Sequence, residues 1–180
     1  MNFVNVGLIG AIPQPRPNMN AQVKDSAQEV KRLQRCINDL VSLLALPAVW
    51  SGNEPSQIVQ ILLDTLLRML DLDFICARLK DPIDAGLLEI LRVSDSCKLR
   101  IPQQDIMRAL NRWFGVDGQK SLPAIRHRFG DQDISIFPVP LGVNGESGMI
   151  VVGSDRLDFP GQTDSLLLSV AANQASIGLQ

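Results

Sequence analysis

The single histidine of the chain, His127, limits the acid–base chemistry that the protein can perform. A serine or cysteine nucleophile needs a neighbouring base, and no Gly-x-Ser-x-Gly elbow accompanies this histidine. The Gly-x-x-x-x-Gly-Lys pattern of a phosphate-binding loop is also missing from the sequence. The sequence therefore excludes a hydrolytic triad and predicts that this chain is not an enzyme.

The three cysteines, Cys36, Cys76 and Cys97, are an odd number without Cys-x-x-Cys spacing. This pattern argues against a disulfide framework and against a thiolate zinc site. A buried small apolar side chain is the better interpretation of Cys76, which lies inside a predicted strand. The cysteines therefore predict a reducing, cytoplasmic setting and no metal.

Arg78 is the candidate for a charged group that binds a ligand. In the predicted strand 74–79 it alternates with Phe74 and Cys76, on the face opposite Ile75 and Leu79. If that face is covered, Arg78 is a buried cation awaiting an anion. The alternative is that Arg78 reaches solvent at the end of the strand.

Two aromatic residues and the histidine complete the candidate ligand site. Trp113 and Phe114 end a short helix that is predicted to begin after Pro102 and to stop at Gly115. His127 lies in a strand over residues 124–129, whose alternation points it inward with Ile125 and Phe129. We predict a small-molecule pocket lined by Arg78, Trp113, Phe114 and His127. The alternative, which is favoured for Trp113 taken singly, is that it is only a core residue.

Composition narrows the class of partner. The chain has 180 residues, a formal charge of −2 and 20% charged residues, so one domain is expected and a polyanionic partner is not. The apolar N-terminal run carries no basic residue and stops at Pro13, which is too short to span a membrane. Neither nucleic acid nor a membrane is therefore predicted as a partner of this fragment.

A helix is predicted over residues 20–46, after a loose tail at 1–19 and before Pro47, which should end it. Its apolar residues repeat in heptads. The predicted dimer interface consists of Val30, Leu33, Ile37, Leu40 and Leu44. The alternative is that these residues pack against their own domain, because periodicity alone does not show which surface covers them.

The remaining pattern predicts two further helices and five strands. A buried helix begins at Pro55, strands follow at 74–79, 87–93, 124–129, 134–141 and 148–153, and a last helix is capped by Thr163 and continues past the final residue. Asn144-Gly145 predicts a two-residue hairpin turn between the last two strands. Residues 94–122 are predicted to form a lid of low stability over the sheet. Pro138 and Pro140 are two residues apart, so one edge of their strand lacks donors.

This order of elements resembles a GAF domain. The most specific portion is the run Phe137-Pro138-Val139-Pro140-Leu141 through Asn144-Gly145 to Gly148-Met149-Ile150-Val151-Val152-Gly153, followed by Phe159, Thr163-Asp164 and the helical residues 166–175. It is similar to GAF sensor regions of bacterial signalling proteins, particularly histidine kinases. The resemblance covers roughly residues 54–180, and the 20–46 helix corresponds to a lead-in signalling helix.

The resemblance implies an α+β fold with a central antiparallel sheet of about five to six strands, a helical layer on one face and a lidded pocket on the other. It implies a regulatory domain that senses an unknown small molecule, forms a homodimer and is covalently linked to an output domain, so that the full-length protein is a histidine kinase. The alternatives are a ligand-free dimerisation module, a haem sensor that uses His127, and a redox enzyme of the GAF fold. Cys36 and Cys76 do not match the clustered cysteines of such enzymes, and a lone histidine on an apolar strand is more often a core residue. No cofactor is therefore expected.

Overall fold

The computed structural model describes residues 19–50, 52–80, 86–95, 102–115 and 124–179. Its helices are α1 (Met19–Trp50), α2 (Pro55–Met69), α3 (Gln103–Phe114) and α4 (Gln162–Gly178). Its strands are β1 (Phe74–Lys80), β2 (Leu87–Val93), β3 (Ile125–Phe129), β4 (Gln132–Leu141) and β5 (Gly148–Ser154). The predicted tail at 1–19 lies outside the described residues except for Met19. None of the described helices is both long and apolar enough to cross a membrane.

The chain divides into two compact units, residues 1–35 and residues 36–180. In the first unit, the described part is helical and carries exposed side chains from Lys24 to Arg35. Charges of both signs lie on it, and Arg32 pairs with Glu29 at 3.4 Å between exposed side chains. The second unit contains the sheet and the other helices.

Helix α1 continues through Pro47 to Trp50, so the predicted end at Pro47 is wrong. Proline removes one helical hydrogen bond and disfavours this conformation. The last turn is held by packing instead, because Leu46 and Trp50 are buried and a Cβ at Gly178 would lie 2.6 Å from Trp50 Cε3. Burial of a large aromatic side chain outweighs the local penalty.

The five strands form one antiparallel sheet in the order β2-β1-β5-β4-β3. This agrees with the predicted α+β class and with the lower predicted strand count. In β1 the side chains alternate as predicted, and all but the terminal Lys80 are buried. A strand buried on both faces requires a cover on each side.

Helices α2 and α4, together with the end of α1, cover one face of the sheet. Pro55 is the first residue of α2 as predicted, and Glu54 and Gln57 cap it reciprocally. The main residues of this layer include Leu43, Trp50, Leu62, Leu66, Ile75, Ala77, Val152, Leu167 and Ala171. The predicted helical layer is therefore confirmed.

Helix α3 covers the other face. Ile106, Leu110 and Phe114, one turn apart, pack on Phe74 and Cys76 of β1 and on neighbouring strands. The helix begins after Pro102 and ends at Gly115, which has a φ of 67° and therefore stops the helix in a left-handed conformation. Both predicted bounds of this helix are confirmed.

The predicted hairpin is confirmed, but its two-residue turn is wrong. Strand pairing ends at Leu141 and Gly148, and residues 142–147 form the connection, with a short 3-10 helix over Val143–Gly145. The longer loop satisfies its own backbone groups, since the Gly142 N–H donates to Ser176 Oγ at 2.7 Å and the Ser147 N–H to the Leu141 carbonyl at 3.1 Å. The longer connection is therefore held partly by a hydrogen bond to α4 and is not a tight two-residue turn.

Strand β4 has one partly open edge. Strand β3 pairs only with residues 132–136 of β4, whereas β5 pairs with residues 135–141. The Leu141 carbonyl accepts from the β5 side, so by alternation Pro138 and Pro140 point their nitrogens away from β5. The prolines therefore lie on the part of that edge where β4 pairs with no described strand, which agrees with the predicted weak pairing.

Helix α4 begins two residues earlier than predicted. Its N-cap is Gly161 and not Thr163, because the Asp164 carboxylate in the first turn accepts the Gly161 N–H at 2.9 Å. Arg156 pairs with the same carboxylate at 3.1 Å. An acidic side chain at this position also complements the helix dipole.

Candidate functional site

Arg78 is buried, with 1% of its surface exposed, in the middle of the β1–β2 pair. Its register partner on β2 is Glu89, and Arg78 Nε lies 2.8 Å from Glu89 Oε1. Its other nitrogens reach the end of α3, where Nη1 donates to the Gly115 carbonyl at 3.0 Å and Nη2 donates to Asn111 Oδ1. Arg78 therefore connects two strands with the C-terminus of the helix above them.

This environment corrects one part of the prediction for Arg78. The residue is a buried cation, but it is not awaiting an anion, since the Glu89 carboxylate already neutralises it. Arg78 Nε and Glu89 Oε1 form an ion pair, but the Nε–H is not aligned for a hydrogen bond to this oxygen. The carbonyl and amide oxygens of α3 satisfy the rest of the guanidinium, which is the condition for burying such a charge.

Trp113 and His127 are brought together as predicted. Their ring centroids are 4.4 Å apart with an interplanar angle of 74°, an edge-to-face contact. Phe129, two residues along β3, contacts His127 in the same way at 4.7 Å. The three rings form a continuous aromatic wall between α3 and β3.

This wall borders an open groove of about 390 Å³, here called the rim groove. Its lining is completed by polar and small residues from α3, from the end of β3 and from the following turn. The lining includes Asp105, Arg108, Arg112, Trp113, His127, Arg128 and Gly130. The groove is therefore basic, because three arginines face one aspartate.

The charges of the rim groove are only partly neutralised. Arg108 Nη1 pairs with Asp105 Oδ1 at 2.8 Å, and Arg128 Nε donates to the Gly130 carbonyl at 3.2 Å. Neither Arg112 nor Arg128 makes an ion pair with any described residue. Burial and the nearby Arg112 guanidinium lower the pKa of His127 below its usual 6.5. The groove therefore favours a neutral imidazole and leaves a cation for an added anion.

Phe114 does not belong to this groove. It is 1% exposed and packs with Ile106 and Leu110 in the core between α3 and the sheet. These side chains fill the space beneath α3, where the lidded pocket was predicted. The remainder of the predicted lid, at 96–101 and 116–123, lies outside the described residues.

Sequence reasoning missed Arg108 and Arg112, although a signal for them existed. Once Ile106, Leu110 and Phe114 define the buried face of α3, positions 105, 108, 109, 112 and 113 follow the spacing i, i+3, i+4, i+7 and i+8. They form one adjacent stripe. Its neighbour on the sheet could not be read from the sequence, because it depends on how α3 crosses β3.

The residues around His127 do not fit haem. An axial histidine needs a flat apolar slot beside a free ring nitrogen. Here Trp113 and Phe129 contact the imidazole, and the adjoining walls carry Arg108 and Arg112. Within the described ranges, no group of three or more histidine, cysteine, aspartate or glutamate residues could hold a metal ion.

The predicted dimer residues lie mostly at the surface. In the first unit, Val30 is 52% and Leu33 51% exposed. In the second unit, Ile37 and Leu44 are each 58% exposed, whereas Leu40 is half-buried and packs on the core. Val41, 61% exposed, was not predicted to belong to this surface. The structure therefore places most of the predicted interface residues among the exposed apolar side chains of α1.

Comparison with solved structures identifies the fold. A GAF domain assigned to a sensor histidine kinase of Pseudomonas syringae pv. tomato superposes with a TM-score of 0.50 at 12% identity, covering 88% of this chain and 91% of that one. A GAF domain from an Acinetobacter phosphoenolpyruvate-protein phosphotransferase gives a TM-score of 0.49 at 13% identity, covering 83% and 92%. The third GAF domain of a Synechocystis protein, in its photoproduct state, gives 0.43 at 16% identity, covering 69% and 92%.

No family model matches the sequence, and no curated protein matches it. At these identities the structural likeness bears on the fold alone. The first comparison, which spans nearly the whole of both chains, agrees with the five-stranded antiparallel sheet and its helices. The chain therefore has the fold of a GAF domain.

Proposed function

We propose that this chain is a dimeric regulatory module that senses a small molecule and acts on a covalently linked output domain. The observation that carries the proposal is the exposed apolar stripe on α1, a helix that leads directly into a GAF fold. A surface of this kind costs free energy in water unless a partner covers it.

The stripe has the composition of a parallel two-stranded coiled coil. Val30, Ile37 and Leu44 recur every seven residues, and Leu33 and Leu40 fill the intermediate positions. Branched residues at the first position with leucine at the second favour two strands in parallel. The occupant that we propose is therefore the same helix of a second copy.

A parallel helix pair suits signal transmission along the chain. Rotation or axial displacement of paired helices is a common two-state change, and it can pass between modules without unfolding either. The histidine kinase assignment of the Pseudomonas neighbour supports the proposal that the output module is a kinase. We propose no catalytic role for the chain itself.

A ligand-free dimerisation module is the second candidate. It is favoured by Ile106, Leu110 and Phe114, which fill the space between α3 and the sheet with 0–1% exposure. In that case the fold would serve assembly alone. The two candidates share the dimer and differ only in whether a small molecule binds.

Light scattering on the purified chain tests the dimer. We expect twice the chain mass at micromolar concentration, and Ile37→Asp should give a monomer because it places a charge at the centre of the seam. Asn38→Asp is the matched control, since it adds the same charge at the adjacent, exposed position. A monomeric wild type, or equal effects of the two variants, would contradict the proposal.

Thermal-shift screening tests the sensing function. A ligand that binds only the folded state raises the melting temperature, and the increase grows with the logarithm of the ligand concentration once that concentration exceeds Kd. We expect hits among organic acids, amino acids or nucleotides. A dimer that no compound stabilises would support the ligand-free candidate.

A further inference from the structure

We propose that the rim groove binds a small planar aromatic compound carrying one anionic group. The inference rests on the proposed sensing function and names its ligand class. It places the ligand at the outer rim of α3, beside β3, and not between α3 and the sheet.

The position follows from packing. The layer beneath α3 is closed by three side chains that are almost completely buried. The groove at the rim remains open, and its volume of about 390 Å³ lies within the range of small-molecule sites. A compound of one or two rings is the largest that a shallow site of this size can enclose.

The anionic group follows from the charges. Arg112 is exposed and makes no ion pair with a described residue, while Arg108 shares its charge with Asp105. A guanidinium of this kind binds a carboxylate or phosphate through two parallel N–H donors. Asp105 opposes anions, but Arg108 already neutralises it at 2.8 Å.

The aromatic group follows from the aromatic wall of the groove. Trp113 and His127 are half-buried and form part of the groove lining, so an aromatic ring can bury area against them without displacing any core residue. Such ring contacts contribute about 0.5–1.5 kcal/mol beyond the area buried. The anion and the ring therefore have separate partners within one groove.

Because the chain has a single histidine, its imidazole resonances report on this groove without assignment. The experiment titrates the intact chain with benzoate, phenyl phosphate, inorganic phosphate and neutral benzyl alcohol, while NMR follows His127 and the indole of Trp113. We expect saturable shifts with benzoate or phenyl phosphate, and weaker binding of the other two probes by about tenfold. The tighter of the two aromatic anions identifies the head group.

Arg112→Gln should weaken binding of the aromatic anion by about tenfold, because it removes a guanidinium that makes no ion pair with a described residue and that acts on the neighbouring His127. Arg126→Gln is the matched control, since Arg126 is exposed on β3 and lies outside the groove lining. Its effect should stay within about twofold. Unchanged resonances of the sheet show that both variants are folded.

A pH series supplies a second test. The charged groups that share the groove with His127 are Asp105, Arg108 and Arg112 on α3 and Arg128 on β3, and Arg112 is the one that lowers the pKa of His127. The register partner of His127 on β4 is the apolar Ile134. A bound anion offsets Arg112 and favours the imidazolium, so it raises the pKa of His127 from its lowered value. Benzoate should therefore bind more tightly at about pH 5.5 than at about pH 8, and His127→Gln should remove this dependence.

Several outcomes would overturn the inference. If benzyl alcohol binds as tightly as benzoate, the ligand does not need an anionic group. If inorganic phosphate binds as tightly as phenyl phosphate, the ligand does not need an aromatic ring. Equal effects of Arg112→Gln and Arg126→Gln would show that the rim groove is not the binding site. A compound that raises the melting temperature without shifting His127 would overturn the rim groove and leave the sensing function intact. If no compound of any class stabilises the protein, that result would contradict the sensing function itself.

Discussion

At the scale of single residues, Gly153 shows how closely the sheet packs against its own side chains. Gly153 on β5 is the register partner of Phe74 on β1, and a Cβ at this position would collide with the Phe74 ring. The ring is fully buried and cannot move away without disturbing the layer beneath α3. Residue 153 therefore has to be glycine for the Phe74 ring to occupy its buried position.

Gly153→Ala should lower the free energy of unfolding by about 2 kcal/mol through overpacking. Urea denaturation measures this change. Combining it with Phe74→Leu should cost less than the sum of the two single variants, because the smaller side chain frees the space. Additive effects would show that the collision is relieved in some other way.

Cys76 is the second residue whose environment gives a measurable consequence. Burial raises the pKa of its thiol to about 12, with the nearby Arg78 only partly opposing the shift. The reactive thiolate is therefore almost absent at neutral pH. This environment favours a structural role over a redox role.

Alkylation at about pH 8 should leave Cys76 unmodified in the folded chain, while the half-buried Cys36 reacts faster. Peptide mass spectrometry distinguishes the two sites. In denaturant both should react at similar rates. Rapid labelling of Cys76 in the native protein would contradict its burial.

At the scale of secondary-structure elements, the contacts that the structure describes between α3 and the sheet are made through side chains and not through a backbone ladder. Strand β5 is hydrogen-bonded on both edges, to β1 and to β4, whereas α3 is held by its apolar face and by Arg78 at its C-terminus. An element without a backbone ladder to its neighbours opens at lower free energy. The low stability predicted for residues 94–122 stays a prediction, and the described part of that segment includes a helix packed on the sheet.

Arg78→Ala should destabilise the protein by about 3 kcal/mol, because it leaves Glu89 and the α3 C-terminus without their cation. Hydrogen exchange should accelerate in α3 more than in β5. Arg92→Ala is the comparison, since its ion pair with Asp64 at 3.1 Å joins half-exposed side chains and should matter little. Equal effects of the two variants would show that Arg78 does not tie α3 to the sheet.

At the scale of the whole molecule, the proposed dimer links stability to concentration. Association stabilises only the folded state, so the melting temperature should rise with protein concentration over the micromolar range. Ile37→Asp should remove that dependence, and Asn38→Asp should keep it. Differential scanning calorimetry at several concentrations measures both. A melting temperature independent of concentration in the wild type would speak against the dimer.

The sequence by itself determined most of the elements. Pro55 at the start of α2, Pro102 and Gly115 around α3, and the alternation of β1 are local signals, because they depend on residues within a few positions of each other. The order of these elements and the sequence of the hairpin also indicated the GAF fold, which the structural comparison supports. The inward face of His127 followed from strand alternation alone.

Only the tertiary structure decided where a local signal is overridden and which distant residues come into contact. Helix α1 passes Pro47 because Trp50 packs against Gly178, more than a hundred residues away in the chain. Arg78 finds its carboxylate because the β1–β2 register places it opposite Glu89, and Arg112 joins His127 because α3 crosses β3. Contacts between distant segments depend on packing and register, which a local pattern does not encode.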